Sequence, residues 1–201
     1  MRRVLVLALL AMALPLAAWA DGIVLVNEYG GINISAAGIV SHQSELKQFN
    51  SIVAPPGKSL GSVSFATGAL ATGTIRYGGT FSDAGSSFVV KGVGKYGEPK
   101  GTIFNGSFVG PINWTLTSPP GSNNLTYTLS GSIQGMLYTG RIVSGTTTQN
   151  IYTVNQQLQQ GIGHIRIGTT NLTVPEPGTL GLLGTGLVGM AGMFRRKLMG
   201  A

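Results

Sequence analysis

Several short stretches of this sequence have the residue types and spacing of reactive or ligand-holding loops. Gly57-Lys58-Ser59-Leu60-Gly61 has the G-x-S-x-G spacing that presents a nucleophilic serine on a strand-to-helix turn. Gly92-Val93-Gly94-Lys95-Tyr96-Gly97 has the G-x-G-x-x-G spacing, and Gly184 to Gly189 repeats it; such loops hold a pyrophosphate on backbone N–H groups at a helix start. Ser44-Glu45-Leu46-Lys47 has the S-x-x-K spacing of an acyl-transferring serine with its lysine. Each lacks the context its chemistry requires. Prolines precede the first and a strand pattern follows it, Glu98-Pro99 denies the second a helix start, and the third lies in an apolar tail. The S-D-N and K-T-G companions of the fourth are absent. A chain with 32 glycines produces such matches by chance, so no catalytic or cofactor-binding residue is assigned.

Metal and acid–base chemistry fare no better. His42 and His164 stand 122 positions apart with no second ligand at metal spacing, so neither reads as half of a zinc site or a triad. Glycoside hydrolysis needs two facing carboxylates, and residues 21 to 174 hold five acids in no recognisable motif. A small secreted hydrolase therefore stays only as a third reading, requiring His42 or His164 to meet Asp83, Glu45 or Glu98. Trp114, Tyr127 and Tyr138 are candidates for stacking on sugar rings, yet Trp114 and Tyr127 share their periodicity with Ile112, Leu116, Leu125 and Leu129, which points to core packing. The sequons at Asn33, Asn105, Asn113, Asn124 and Asn171 follow from a Thr, Ser and Asn-rich composition.

The elements that must position these residues read as strands. In "PINWTLTS", Ile112, Trp114 and Leu116 alternate with polar residues, and "NLTYTLSGSI" repeats the pattern, the period of two of a half-buried strand. "SPPGSNN" between them is a hairpin connection. Further strands are expected at 60–66 with Val63 and Phe65 inward, and at 73–77, 88–91, 102–108, 137–143, 148–154 and 162–168, the last with Ile165 and Ile167 on one face. Turn signals separate them: "PPGK", "SDAG", "GEPKG" and "NG". Only Ser41 to Phe49 has the composition for a turn or two of helix, and "NQQLQQ" (155–160) fits strand, helix turn or loop. Short strands without long helices predict an all-β fold, an antiparallel, jelly-roll-like β-sandwich over residues 21–173. A parallel β-helix is the rival, but the "GTI", "GSF" and "GSI" recurrences are too irregular for solenoid coils.

The termini follow other rules. Arg2 and Arg3, the apolar run Val4 to Leu14 and Ala18-Trp19-Ala20 form the three regions of a signal peptide. This predicts a leader over 1–20 cleaved after Ala20, its apolar run too short for a membrane helix. Residues 21 to 174 then keep eight basic against five acidic groups, a net of +3, scattered singly; this argues against a nucleic-acid partner. With no cysteine, an exported domain must be held by its core alone.

The C-terminal stretch Gly178 to Phe194 is 17 residues without a charge, closed by Arg195, Arg196 and Lys197. As a helix it reaches about 25 Å, enough to span a locally thinned bilayer, with the basic cluster held in the cytoplasm and residues 21 to 177 outside. The order Val174-Pro175-Glu176-Pro177, an apolar Gly/Leu-rich segment over 178–194 and a terminal basic cluster resembles a PEP-CTERM sorting signal, here spanning 174–201. That resemblance implies recognition of Pro175, Glu176 and Pro177 by an exosortase, a membrane cysteine protease or transpeptidase of bacteria that export polysaccharide. The chain is then a substrate of that enzyme: an inner-membrane-anchored precursor whose mature form reaches the cell surface or the extracellular space. The expected function is a non-enzymatic structural or adhesive role associated with exopolysaccharide, without cofactor or metal. A carbohydrate-binding module is the alternative.

Overall fold

The computed structural model describes residues 22–119 and 122–174. They form strands β1 (Gly22–Glu28), β2 (Gly31–Ser35), β3 (Gly38–His42), β4 (Ser44–Phe49), β5 (Ile52–Val53), β6 (Gly61–Ala66), β7 (Leu70–Thr74), β8 (Gly78–Phe81), β9 (Ser87–Gly92), β10 (Gly101–Leu116), β11 (Asn124–Leu137), β12 (Ile142–Val154) and β13 (Ile162–Thr173). One helical turn, α1 (Asn155–Gln159), joins the last two long strands.

The expected all-β class holds, but the sheet closes into a barrel instead of splitting into a sandwich. Each of β1, β4, β6, β9, β10, β11, β12 and β13 pairs antiparallel with the next, and β13 returns to β1 in register from Gly22↔Thr173 to Glu28↔Ile167. The result is an eight-stranded closed ring. Towards one end of the ring other segments continue the staves: β2 pairs with the start of β13 (Asn33↔Ile162) and with β3, β3 touches β6 (Val40↔Ala66), and β8 covers the far half of β10 (Phe81↔Ile112). Thus β1–β2 is one bent stave and β3–β4 another. Their corners are Tyr29 and Gln43, both at left-handed φ (57° and 47°), a conformation rare for a bulky side chain. Sandwich and barrel impose the same inward–outward alternation, so periodicity alone cannot separate them. The difference is made by β1 and β13 finding each other, which removes the edges a sandwich leaves.

Alternation explains most strands and bulges explain the exceptions. Val63, Phe65, Ile112, Trp114, Leu125, Tyr127, Leu129 and Ile165 are buried as the sequence predicts. Ile167 points outward, however, because a bulge between Asn150 and Ile151 shifts the phase of β13. The strand expected at 137–143 is broken by a turn at 138–140, with Gly140 at φ 78°. The one expected at 73–77 stops at Thr74, whose hydroxyl accepts the Tyr77 N–H at 3.1 Å and folds 75–77 into a turn. Ser41 to Phe49 contributes to β3 and β4 and not to a helix: its alternating Ser44, Leu46 and Lys47-flanked pattern finds neighbours on both sides. The open segment at 155–160 supplies α1.

The interior is filled by side chains, as a ring of eight strands permits. Phe65, Phe88, Phe104 and Phe108 form one aromatic group with centroids 5.9–6.3 Å apart. Trp114 stacks on Tyr127 at 4.3 Å and meets Phe81 edge-on. Their polar tips are satisfied by the 75–77 turn: Trp114 Nε1 donates to the Ile75 carbonyl at 2.7 Å and Tyr127 Oη to that of Arg76 at 2.8 Å. Burial raises the Tyr127 phenol pKa above its ordinary value, against a smaller lowering by Arg76.

A polar network crosses the closure seam. Gln149, Gly168 and Asn27 lie side by side on β12, β13 and β1. The two amides meet over the glycine, with Asn27 Nδ2 donating to Gln149 Oε1 at 2.9 Å and Gln149 Nε2 to Asn27 Oδ1 at 3.2 Å. Ser44 accepts from Asn27, Thr147 accepts from Gln149, and Thr170 bonds Thr147. All are buried, and the network is satisfied as buried polar groups must be.

Outside, β11 and β12 present rows of hydroxyls and amides, such as Thr128↔Asn150, Ser130↔Thr148, Ser132↔Thr146 and Gln134↔Ser144, with Met136, Ile142 and Tyr152 exposed among them. Apolar in and polar out is the inverse of a lipid-facing barrel. Among the described residues no helix is long and apolar enough to cross a membrane. The segment expected to do so, 178–194, lies outside them.

Candidate functional site

The processing residues Ala18, Ala20, Pro175, Glu176, Pro177, Arg195, Arg196 and Lys197 lie outside the described residues. Inside the barrel domain, the aromatic candidates separate. Trp114 and Tyr127 are core residues, 1% and 0% exposed, while Tyr138 is exposed alone in the β11–β12 turn. Stacking of sugar on the first two is excluded by burial. The sequon asparagines 33, 105, 113, 124 and 171 are all exposed, as outward strand positions must be.

The structure does not assemble the hydrolase set; each member has its own structural partner. His42 Nε2 lies 3.2 Å from Asn33 Nδ2, and His164 stacks on Tyr152 at 5.4 Å. Asp83 accepts the Gly110 N–H at 2.7 Å, pinning the β10 bulge, and Glu45 pairs with Lys47. Glu98 is buried in the 93–100 loop, its carboxylate taking the N–H groups of Lys95 at 3.0 Å and Tyr96 at 2.9 Å. Ser44 and Lys47 of the S-x-x-K stretch point to opposite faces of β4, Ser44 into the amide network and Lys47 outward. Serine and lysine so placed cannot share a proton.

The Glu98 arrangement accounts for the G-x-G-x-x-G stretch. Its N–H groups do form an anion nest, and the anion is the chain's own carboxylate. Burial pushes the Glu98 pKa up, but the backbone N–H groups of Lys95, Glu98, Tyr96 and Gly94 outweigh it and hold the group below its ordinary value of 4.5. A depressed carboxylate stabilises the fold above its unfolded pKa, and that stability is lost as pH falls through the lower folded value. Thermal unfolding followed from neutral pH into that acid window is therefore expected to show a falling midpoint. Glu98→Gln is expected to flatten this acid limb while lowering the midpoint at neutral pH; an unchanged pH profile would refute the nest.

The stretches that sequence reasoning set aside come together at one place. Gly57, Lys58 and Ser59 form one wall of a cleft of ≈ 320 Å³; Val93, Lys95 and Tyr96 form another, and Glu45 contributes from β4. Lys47 ties β4 to the first wall, with Nζ on Glu45, 2.9 Å from the Lys58 carbonyl oxygen and 5.3 Å from the Tyr29 ring centroid. Tyr29, at the β1–β2 corner, is 60% exposed and Tyr96 is 37% exposed. These tyrosines, unlike Trp114 and Tyr127, are accessible aromatics beside this cleft; Tyr77, Tyr138 and Tyr152 are exposed elsewhere on the barrel. No periodicity marks them because both sit in corners and loops; their only sequence signal is the neighbouring glycine in "NEYGG" and "GKYGE". Among the described residues no cluster of three or more metal-ligating side chains occurs.

Comparison with known proteins yields one match: the PEP-CTERM protein-sorting motif, over residues 173–197. The chain carries that motif, beginning at Thr173, the last residue of β13. It implies an exported, membrane-passing precursor processed by an exosortase. No curated protein and no solved structure matches the chain.

Proposed function

We propose that this chain is the precursor of a cell-surface or extracellular-matrix protein, whose barrel has a structural or adhesive role within an exopolysaccharide layer. The observation that carries the reading is the sorting motif placed directly after the last stave. In this reading the leader is removed after Ala20, residues 178–194 cross the inner membrane transiently, and Arg195, Arg196 and Lys197 stop transfer. Exosortase then acts near Pro175-Glu176-Pro177 and releases the barrel from its tail. A cysteine-free domain suits this route, since its stability rests on the aromatic core and the amide network rather than on the redox state of the compartment. In this reading the barrel works without catalysis: His42, His164, Asp83, Glu45 and Glu98 are engaged in structural contacts, and the hydroxyl and amide rows of β11 and β12 can hydrogen-bond sugars.

A carbohydrate-binding module is the second reading, favoured by the exposed Tyr29 and Tyr96 beside the lysine-lined cleft.

Intact mass of the protein recovered from envelope and medium of the native host tests the sorting step. The wild type is expected to lack residues 1–20 and the tail beyond the motif. A variant with Pro175, Glu176 and Pro177 replaced by alanine is expected to keep the tail and stay with the membrane. An unprocessed tail in both would refute the reading.

A further inference from the structure

All five lysines of the barrel domain, Lys47, Lys58, Lys91, Lys95 and Lys100, gather around one outer surface. Lys58 and Lys95 both line the cleft, and Lys47 joins Glu45 to the Lys58 carbonyl. Lys91 pairs in register with Ser62, and Ser62 with Glu45, so Lys91 lies two strands away on the same outer face, roughly 10 Å from Glu45 at the backbone. Lys100 packs beside Gly94. The acids nearby, Glu45, Glu98 and Glu28, which lies in register beside Glu45, are fewer than the lysines. Glu98 faces its own nest and Glu45 is taken by Lys47, and among the described residues Lys58, Lys91, Lys95 and Lys100 have no ion-pair partner. Tyr29 and Tyr96 add exposed rings at this surface, Tyr29 held in a left-handed conformation of the kind found where function imposes it.

The geometry points to this cleft as a docking site for an anionic polysaccharide, a chain of uronic-acid sugars whose carboxylates meet Lys58 and Lys95 while a ring lies against Tyr96 or Tyr29. This rests on the envelope reading above and names the charge class of the polysaccharide. Single exposed lysine–carboxylate pairs contribute little. Affinity arises from repetition along a polymer that engages several lysines at once, and it is screened by salt. A neutral glucan offers Lys58 and Lys95 hydroxyl acceptors but no opposing charge, and a nucleic acid would call for a longer basic track than one cleft.

The test is affinity electrophoresis of the processed protein from its native host through gels containing polygalacturonate or neutral dextran, with flotation on anionic-lipid vesicles alongside. Retardation by polygalacturonate and not by dextran is expected, with loss of retardation in high salt. Lys58→Glu with Lys95→Glu is expected to weaken binding about tenfold or more, with an unchanged unfolding midpoint. Tyr29→Ala with Tyr96→Ala is expected to weaken it while preserving its salt dependence. Arg76→Ala, in the 75–77 turn against Trp114 and Tyr127 and so at the far end of β10 from the 93–100 loop, is expected to leave binding intact. Equal binding by the lysine variant, or retention by dextran or vesicles without polygalacturonate, overturns the site. Co-sedimentation with the host's own polysaccharide separates the two readings: if wild type and lysine variant sediment alike, the envelope role stands and the site falls. If neither sediments, both fall.

Discussion

Replacing Gly168 by alanine is expected to cost this barrel several kcal/mol, out of proportion to one added methyl group. An added Cβ would overlap Gln149 Oε1 and Asn27 Oδ1, the two amide oxygens that approach over the bare backbone of β13. Moving them apart breaks a reciprocal pair at full burial. Each buried group left without a partner costs about 1–3 kcal/mol, and overpacking adds about 1–3 kcal/mol. For a domain of this size about 4 kcal/mol corresponds to a fall in Tm of roughly 8–16 °C. Thermal unfolding of Gly168→Ala measures it directly. A double-mutant cycle identifies the cause: adding Asn27→Ala makes room at Gly168, so the combined loss is expected to fall well short of the sum of the two single losses. Additive losses, or an unchanged Tm for Gly168→Ala, would show that the amides do not depend on the glycine.

The position of this network gives it a role beyond its energy. The first and last strands of the barrel meet at β1–β13, and a slip of one residue there would turn Asn27 outward and carry Leu25 with it. Only one register brings Asn27 to Gln149 across Gly168. The amide pair thereby selects how the ring closes, while the buried aliphatic and aromatic side chains supply the apolar burial.

Truncating Trp114 to alanine is expected to be comparably severe. The indole is 1% exposed, stacks on Tyr127 at 4.3 Å and meets Phe81 edge-on. Loss of a buried tryptophan costs about 3–5 kcal/mol through transfer and the cavity left behind, and the Ile75 carbonyl loses its donor. Trp114→Phe keeps an aromatic ring in the stack and loses the N–H, so its cost is expected to be smaller. Urea denaturation of both variants separates ring packing from the hydrogen bond. Equal losses would mean that the contact to the 75–77 turn, and not the stack, dominates at this end of the barrel.

The extent to which these features are legible in the sequence differs by kind. The hairpin around "SPPGSNN" is legible because two alternating runs flank residues that favour a turn, and β10 and β11 indeed pair as Leu116↔Tyr127. The burial of Trp114 and Tyr127 follows from the same alternation. Ile167 shows the limit: a single bulge opposite Asn150 reverses the phase, and no local residue announces it. Ser41 to Phe49 shows a second, since a polar segment of ambiguous propensity becomes strand when both flanks offer pairing partners. The candidate cleft was legible only as fragments. The stretches at Gly57, Gly92 and Ser44 each carry a motif's spacing without the context that motif requires, a strand-to-helix turn for the first two and companion motifs for the third.

What the sequence determined by itself is whatever depends on neighbours along the chain: the period of two, the turn positions, and the linear order of proline–glutamate–proline, apolar segment and basic cluster. Linear order suffices there because a sorting signal is recognised as a contiguous stretch, and residues 173–197 match such a motif. Only the tertiary structure decided between barrel and sandwich, joined Asn27 to Gln149 across 122 positions, and brought Lys58 and Lys95 to one cleft. These depend on which strand ends meet, and ring closure is set by contacts between segments far apart in sequence, whose local patterns are the same in either architecture.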